Sequence, residues 1–592
     1  MDFELEYEKW VNNEHIDADL MQELKAMTAQ EKEDAFYTLL EFGTAGMRGI
    51  MGAGTNRMNI YTIRKANVGF AAYLLANVEN AKERGVAIAY DSRKNSKEFA
   101  LESAKVLGAF GIKSYVFEGP RPTPELSFAV RHLSCAGGIV ITASHNPPAY
   151  NGYKIYDSSG CQVLPDDGKK VVDGVNSVEN VFEIEVRSLT ELENLGLLEI
   201  IGNDVDELYL RLVKELQINS EIDKSGLNIV FSPLHGTAGM LMKKLLLDSG
   251  YENLFLVEEQ FHPDGAFPTV NYPNPEEKEA FELAIKKGFE VDADIILATD
   301  PDADRMGVAV KVLSETYVTQ MQTAFMSSHP TLKTESEYLL LTGNQTGAVL
   351  LYYILTQKKE KGILPEKGFV FDTVVSSRLA AEVAKSFGIN VMSTLTGFKF
   401  IGQQAQILED TEYEYVFGYE ESYGSLISDF VRDKDALQAV LLLSEAAAFY
   451  KTKGKTLCDV LELIYEEYGY YQEDLINIAL VGKVGSEKIN HLLTELRNTP
   501  PTTIAGFSVE TYEDFKAGVK ISNSSATPIE LPSADVLKYT LEDGSWFAIR
   551  PSGTEPKAKI YISVVTDDKI KTANRLDLMK KDILKIVDEI LE

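Results

Sequence analysis

The sequence predicts an α/β chain: three tandem βαβαβ units with mixed sheets, followed by a C-terminal α+β domain. Three observations carry this reading. Short apolar runs ending in small or charged loops recur in sets of three, helix-like stretches separate the runs, and the pattern stops near residue 465. The first set is GVAIAYDSR (85–93), SYVFEGPRPTP (114–124) and GGIVITASHNPP (137–148), with stretches such as KEFALESAKVLGAFG between. LNIVFSPLHG (227–236), NLFLVEEQFHPDG (253–265) and ADIILATDPDADR (293–305) form the second. GFVFDTVVSS (368–377), INVMSTLTGFKF (389–400) and YEYVFGYEESYG (413–424) form the third. Beyond them, WFAIRPSGTEPKAKIYISVV (546–565) reads as two strands joined by a loop. Residues 1–41 read as helical, acidic and of packing use only. The expected domains are 1–205, 206–338, 339–465 and 466–592.

Composition narrows the function. With 592 residues, 45% hydrophobic and 25% charged, the chain has a globular composition and room for several domains. A formal net charge of −32 argues against a nucleic-acid partner, so any bound anion must be met by locally placed cations and backbone N–H groups. Cys135, Cys161 and Cys458 have neither disulfide nor metal spacing, which fits a reducing cytoplasm. The opening MDFELEYEKW is acidic where a signal peptide would be basic and then apolar, and no run is long enough to span a bilayer. No membrane and no obligate protein partner are expected.

In open α/β sheets ligands lie beyond the carboxyl ends of the strands, which directs attention to TASHNPP, TDPDADR and GYEESYG. Ser144 sits where a buried strand emerges, so it reads either as a turn residue or as a nucleophile. A serine-hydrolase elbow of the form G-x-S-x-G is absent, because Thr142 and Asn146 flank it. His145 reads as a poor base, since neighbouring side chains on an extended segment point apart. Asp300, Asp302 and Asp304, at spacing two, converge oxygens on a point, a site for a hard cation such as Mg²⁺ rather than zinc. A calcium EF-hand fails because Arg305 and Lys311 stand where Gly and Glu are required. A dehalogenase-type phosphotransferase, with Asp300 as nucleophile, fits loosely but leaves the serine loop unexplained. In RPSGTEPK, Arg550 offers a planar fork, Ser552 and Thr554 offer hydroxyls, and Gly553 allows close backbone approach to a phosphate; the same stretch reads equally as a tight hairpin. Glu420 and Glu421 beside Ser422 are either surface charge or acceptors for sugar hydroxyls.

A phosphatase needs only a nucleophile and a metal. A mutase must also hold the non-reacting phosphate while the sugar turns over. In that order, TASHNPPAYNGYKIY, DPDADR, GYEESYG and RPSGTEP resemble the four signature loops of the α-D-phosphohexomutase family, in particular its longer phosphoglucomutases. The resemblance implies four domains around a central cleft, a phosphoserine at Ser144, Mg²⁺ held by Asp300, Asp302, Asp304 and a phosphoserine oxygen, a hexose phosphate substrate and glucose 1,6-bisphosphate as intermediate. It places Arg48, in FGTAGMRG, near the reacting phosphoryl group and gives Lys154 a part in proton transfer. Arg305 adjoins the metal site, and Glu420 and Ser422 match contacts to sugar hydroxyls. Lys399 in TLTGFK, Lys434 in VRDKDAL and His235 in PLHGTAG are further matches, and His145 serves either loop architecture or catalysis. The chain departs from the family at 312–338, a Ser-, Thr-, Gln- and Met-rich insertion after the metal loop.

Overall fold

The computed structural model describes residues 2–43, 46–312, 338–480, 482–522, 525–551 and 557–592. Most of the 312–338 insertion, and Ser552, Gly553 and Thr554 of the expected phosphate cradle, lie outside the described residues.

Four sheets follow one another along the chain. In the first, Val86–Tyr90 pairs in parallel with Ser114–Phe117 and Gly137–Ile141, as the triplet predicts. Three more strands enlarge it: Leu198–Ile201 adds in parallel at one edge, and Tyr150–Tyr156 and Gly46–Ile50 add antiparallel at the other. The second sheet pairs Ile229–Ser232 in parallel with Leu254–Leu256 and Ile295–Thr299, then turns antiparallel through Met306–Lys311 and Tyr338–Leu340. The chain thus returns from the insertion as an edge strand of the sheet it left. In the third, Gly368–Thr373 lies parallel to Asn390–Thr394 and Glu414–Tyr419, with Ser425–Leu426 antiparallel at the edge. The fourth sheet is antiparallel throughout and includes Trp546–Pro551 paired with Lys557–Thr566.

The central strands Val86–Tyr90, Gly137–Ile141 and Ile295–Thr299 are buried at every position. Helices cover both faces of such sheets, which is why these strands read as continuous apolar runs. The edge strand Gly46–Ile50 instead alternates, with Met47 and Gly49 buried and Arg48 and Ile50 turned outward. One apolar cluster runs from the first unit through the second and third. The fourth domain packs its own core between its sheet and two helices, Gly482–Asn498 and Lys569–Leu591. A small cluster including Val375, Leu395, Trp546, Ala548 and Tyr561 joins it to the third. The amino-terminal helices Phe3–Val11, Ala18–Ala26 and Ala29–Phe36 pack through Trp10 and Phe36 against Tyr61 of the first unit.

Candidate active site

The strand Gly137–Ile141 delivers Ser144 to the mouth of the first sheet. The Ser144 N–H donates to Thr142 Oγ1 at 2.8 Å, and Ser144 takes φ 52°, a left-handed conformation costing a non-glycine residue about 1–2 kcal/mol. Arg93 holds the loop in this shape. Its guanidinium donates to the carbonyls of Ser144 and Asn146 at 2.5 Å each, of Pro147 at 2.8 Å and of Tyr150 at 3.1 Å. Asp91 fixes Arg93 in turn, with 3.1 Å between Arg93 Nε and Asp91 Oδ2. Arg93 escaped the sequence reading, although it ends the first run of the first triplet and so comes to the same sheet edge as the serine.

The left-handed turn also corrects the expectation for His145. Its Nδ1 lies 3.1 Å from Ser144 Oγ, because the segment is not extended and the two side chains do not diverge. Burial, followed by the charges of Arg305 and Arg48, holds the imidazole well below its usual pKa, so it is neutral at pH 7. A neutral ring can accept the serine proton or donate to an oxygen there.

Ser144 Oγ donates to Asp300 Oδ2 at 2.9 Å, which joins the first and second units. Asp300 Oδ1 receives the N–H groups of Asp304 at 3.1 Å and Arg305 at 3.0 Å, made possible by Ala303 in the left-handed region at φ 53°. Ligand oxygens of Asp300, Asp302 and Asp304 all lie within 4.8 Å of one another. All three side chains are buried, yet Asp302 Oδ1 and Asp304 Oδ1 have no hydrogen-bond partner among the described residues. Two buried carboxylate oxygens without donors are costly unless a cation completes them, so the donor set fits a hard divalent ion. Burial, then the charges of Asp304 and Asp302, pushes Asp300 well above the ordinary carboxylate range. Burial would raise Asp302 as well, but the Lys154 ammonium, the hydrogen bond with Asp300 and the Lys434 charge together outweigh it and hold Asp302 well below that range.

Cations surround the triad. Lys154 Nζ is 3.0 Å from Asp302 Oδ2 and 3.8 Å from Asp304 Oδ2, and Lys434 Nζ is 3.0 Å from Asp304 Oδ2 and 3.1 Å from Asp433 Oδ1. Arg305 pairs with Glu276 and lies 3.8 Å from Asp304 Oδ1. Arg48 reaches across from the edge strand to Asn146 Oδ1 at 2.8 Å. Backbone bonds lock the metal loop to its neighbours: Thr123 N–H to the Asp302 carbonyl at 2.9 Å, Thr237 N–H to that of Pro301 at 2.9 Å, and Met306 N–H to that of Tyr423 at 3.0 Å. A Cβ at Gly236 would stand 2.5 Å from Pro301 Cα, which explains the glycine of PLHGTAG. His235 is engaged with Thr269 Oγ1 at 2.8 Å. Thr123, whose hydroxyl donates to Asp302 Oδ2 at 2.9 Å, and Glu276 carried no sequence signal, since a lone threonine and a glutamate in a loop have many uses.

The third unit presents its loop on the other side. Glu420 Oε1 accepts the Gly397 N–H at 2.8 Å, and Glu421 Oε2 accepts the Thr373 hydroxyl at 3.1 Å. Ser422 is half-buried at the tip. Burial and then the Glu420 charge push Glu421 up to about 7. Raised above its unfolded value of about 4.3, Glu421 contributes stability that is present at low pH and lost between about pH 4.3 and 7. Glu421→Gln is therefore expected to flatten the decline in melting temperature across that window; an unchanged decline would place its cause in another group. Lys399 lies 5.4 Å from the Phe400 ring, and burial, then the Arg550 charge, lowers its pKa. Arg550 itself is exposed at the end of Trp546–Pro551, beside Tyr561, and faces the third unit's loop from the fourth domain.

The Phosphoglucomutase/phosphomannomutase alpha/beta/alpha domains I, II and III match residues 39–182, 207–313 and 342–468, and the C-terminal domain of the same family matches 508–575. A phosphoglucomutase of Staphylococcus epidermidis is 37% identical over 542 residues, 91% of this chain and 93% of its own length. One from Staphylococcus aureus strain USA300 is 35% identical over 551 residues, 93% of this chain and 94% of its own length. Among solved structures, a phosphoglucomutase/phosphomannomutase family protein from Burkholderia thailandensis shares the fold with a TM-score of 0.64 at 19% identity, covering 92% of this chain and 97% of its own. The open form of the Paramecium phosphoglucomutase parafusin does so with 0.65 at 19%, covering 93% and 95%. The chain is an enzyme of the phosphoglucomutase/phosphomannomutase family.

Proposed function

We propose that the chain interconverts glucose 1-phosphate and glucose 6-phosphate through a phosphoserine at Ser144, with glucose 1,6-bisphosphate as the intermediate. One observation carries the reading most: a serine in a strained left-handed turn places its Oγ 2.9 Å from the buried triad whose Asp302 and Asp304 keep oxygens without donors. A turn residue needs no such surroundings.

Phosphoryl transfer depends on positioning and on neutralising the transferred oxygens. Ser144 carries the phosphoryl group, and Arg48 and Arg305 offset its charge from two sides. A divalent ion, Mg²⁺ by its all-oxygen donor set, supplies further charge neutralisation when held by Asp300, Asp302, Asp304 and the serine phosphate. Lys154, at the triad's edge, exchanges the proton of the attacking sugar hydroxyl, while the neutral His145 orients the serine. Glu420 and Ser422 accept from and donate to the sugar, and Lys399 and Lys434 line its path. Arg550, with Ser552, Gly553 and Thr554, holds the phosphate that is not reacting. After the first transfer the bisphosphate turns over, and the other phosphate returns to Ser144. The fourth domain, with its separate core, is suited to close over the sugar and keep water out. Three free, buried cysteines fit action in a reducing cytoplasm.

GYEESYG resembles the loop of glucose-selective members more than the GEMSGH form of dual-specificity enzymes, so glucose phosphates are the preferred substrates. Side-by-side assays with glucose 1-phosphate, mannose 1-phosphate and ribose 1-phosphate test this. A catalytic efficiency for mannose or ribose equal to that for glucose would overturn the assignment of the sugar, and stoichiometric release of free phosphate would overturn the mutase.

A further inference from the structure

Between the third and fourth domains lies a cavity of about 570 Å³, lined by Val374, Arg378 and Ser393 on one side and by Lys538, Trp546 and Phe515, among others, on the other. It is separate from the cleft just described. Trp546, Ala548 and Arg550 share one face of the strand Trp546–Pro551, so Trp546 lies about 13 Å from Arg550 along it, with the interdomain apolar cluster between.

The charges in its wall are unevenly satisfied. Each acidic side chain there has a cationic partner: Glu382 with Lys385 at 2.7 Å, Glu513 with Lys520 at 3.5 Å, and Asp543 with Arg575. Arg378 is half-buried, and among the described residues its charge acts on the buried Asp372 carboxylate without a hydrogen bond or close ion pair between them. Lys538, 9% exposed, lies 4.2 Å from the Trp546 ring and donates to the Val374 carbonyl at 2.6 Å, which leaves two of its three protons unassigned. Burial lowers Lys538 to about 8, with the Arg378 charge adding to it and the carboxylates of Glu513 and Asp372 offsetting part. Two cations thus face one partly apolar cavity in a chain whose net charge is −32, and each raises the cost of charging the other. The volume exceeds what a bare inorganic anion fills and suits a small organic molecule.

We infer that this cavity is a second ligand site, taking a small organic anion whose phosphate or carboxylate lies between Arg378 and Lys538 and whose apolar part rests on Trp546, Val374 and Phe515. Because the two domains contribute one wall each, occupancy ties the fourth domain to the third and so bears on opening of the catalytic cleft.

Calorimetric titration of the whole protein with phenyl phosphate and with benzoate tests the site and separates the two anion classes. At least one probe is expected to show a binding component whose affinity is lowered at least tenfold by Arg378→Gln and by Lys538→Met and which persists in Arg550→Ala, a substitution that removes only binding in the catalytic cleft. Melting curves of the three variants establish that each remains folded. Binding of neither probe at millimolar concentration, binding indifferent to Arg378→Gln in a folded variant, or binding abolished by Arg550→Ala would each overturn the inference.

Discussion

Ser144→Ala is expected to lower interconversion of the hexose phosphates on the order of 10⁴-fold or more, while the protein stays folded and still binds sugar phosphate. The reason is chemical. Ser144 Oγ is the hydroxyl that the loop presents to the triad, and Asp300 stays pinned through its other oxygen by the N–H groups of Asp304 and Arg305. The cost to the fold is modest. Alanine takes the same left-handed backbone, and the loss is one hydrogen bond to Asp300, worth about 1–3 kcal/mol with the acceptor left buried. Substrate binding, followed by calorimetry, should survive because Arg550, Glu420 and Lys399 are untouched. Wild-type turnover in this variant would end the account.

The second large effect is at the triad. Asp302→Asn keeps an acceptor for the Thr123 hydroxyl and the size of the side chain, but it removes the charge that opposes Lys154 and that a divalent ion requires. Turnover is expected to fall about 10³-fold, several kcal/mol of transition-state stabilisation, with a circular dichroism spectrum like that of the wild type. Raising the magnesium concentration should restore part of the loss, since the affinity of the site, and not only its chemistry, is weakened. Near-normal turnover without added magnesium would mean that the metal is held elsewhere.

Much of this is legible in the sequence. The three triplets announce themselves because parallel strands buried on both faces are unbroken apolar runs, and the loops after their third strands carry Ser144, Asp300 and Glu420 to the cleft. The outer strands added to the first triplet, Gly46–Ile50 and Leu198–Ile201 at the edges and Tyr150–Tyr156 next to the first of them, leave no such mark, since their pairing depends on neighbours outside the triplet pattern. Arg93 is hidden for a related reason: its use lies in four carbonyls of a loop some fifty residues away, and carbonyls leave no trace in side-chain identity. His145 departs from expectation because the rule for extended chain does not hold at a position where the backbone reverses. Lys434, expected among the sugar contacts, has its ammonium 3.0 Å from Asp304, which makes it a neighbour of the metal carboxylates as well.

The central claim is that Ser144 carries the phosphoryl group. Incubation with glucose 1,6-bisphosphate and magnesium, followed by mass spectrometry of the peptide containing Ser144, tests it most directly. The account predicts one added phosphate on Ser144, removed by a chase with hexose monophosphate without an equal release of free phosphate. A label on Asp300, or a label on Ser144 that a chase discharges only to water, would contradict it.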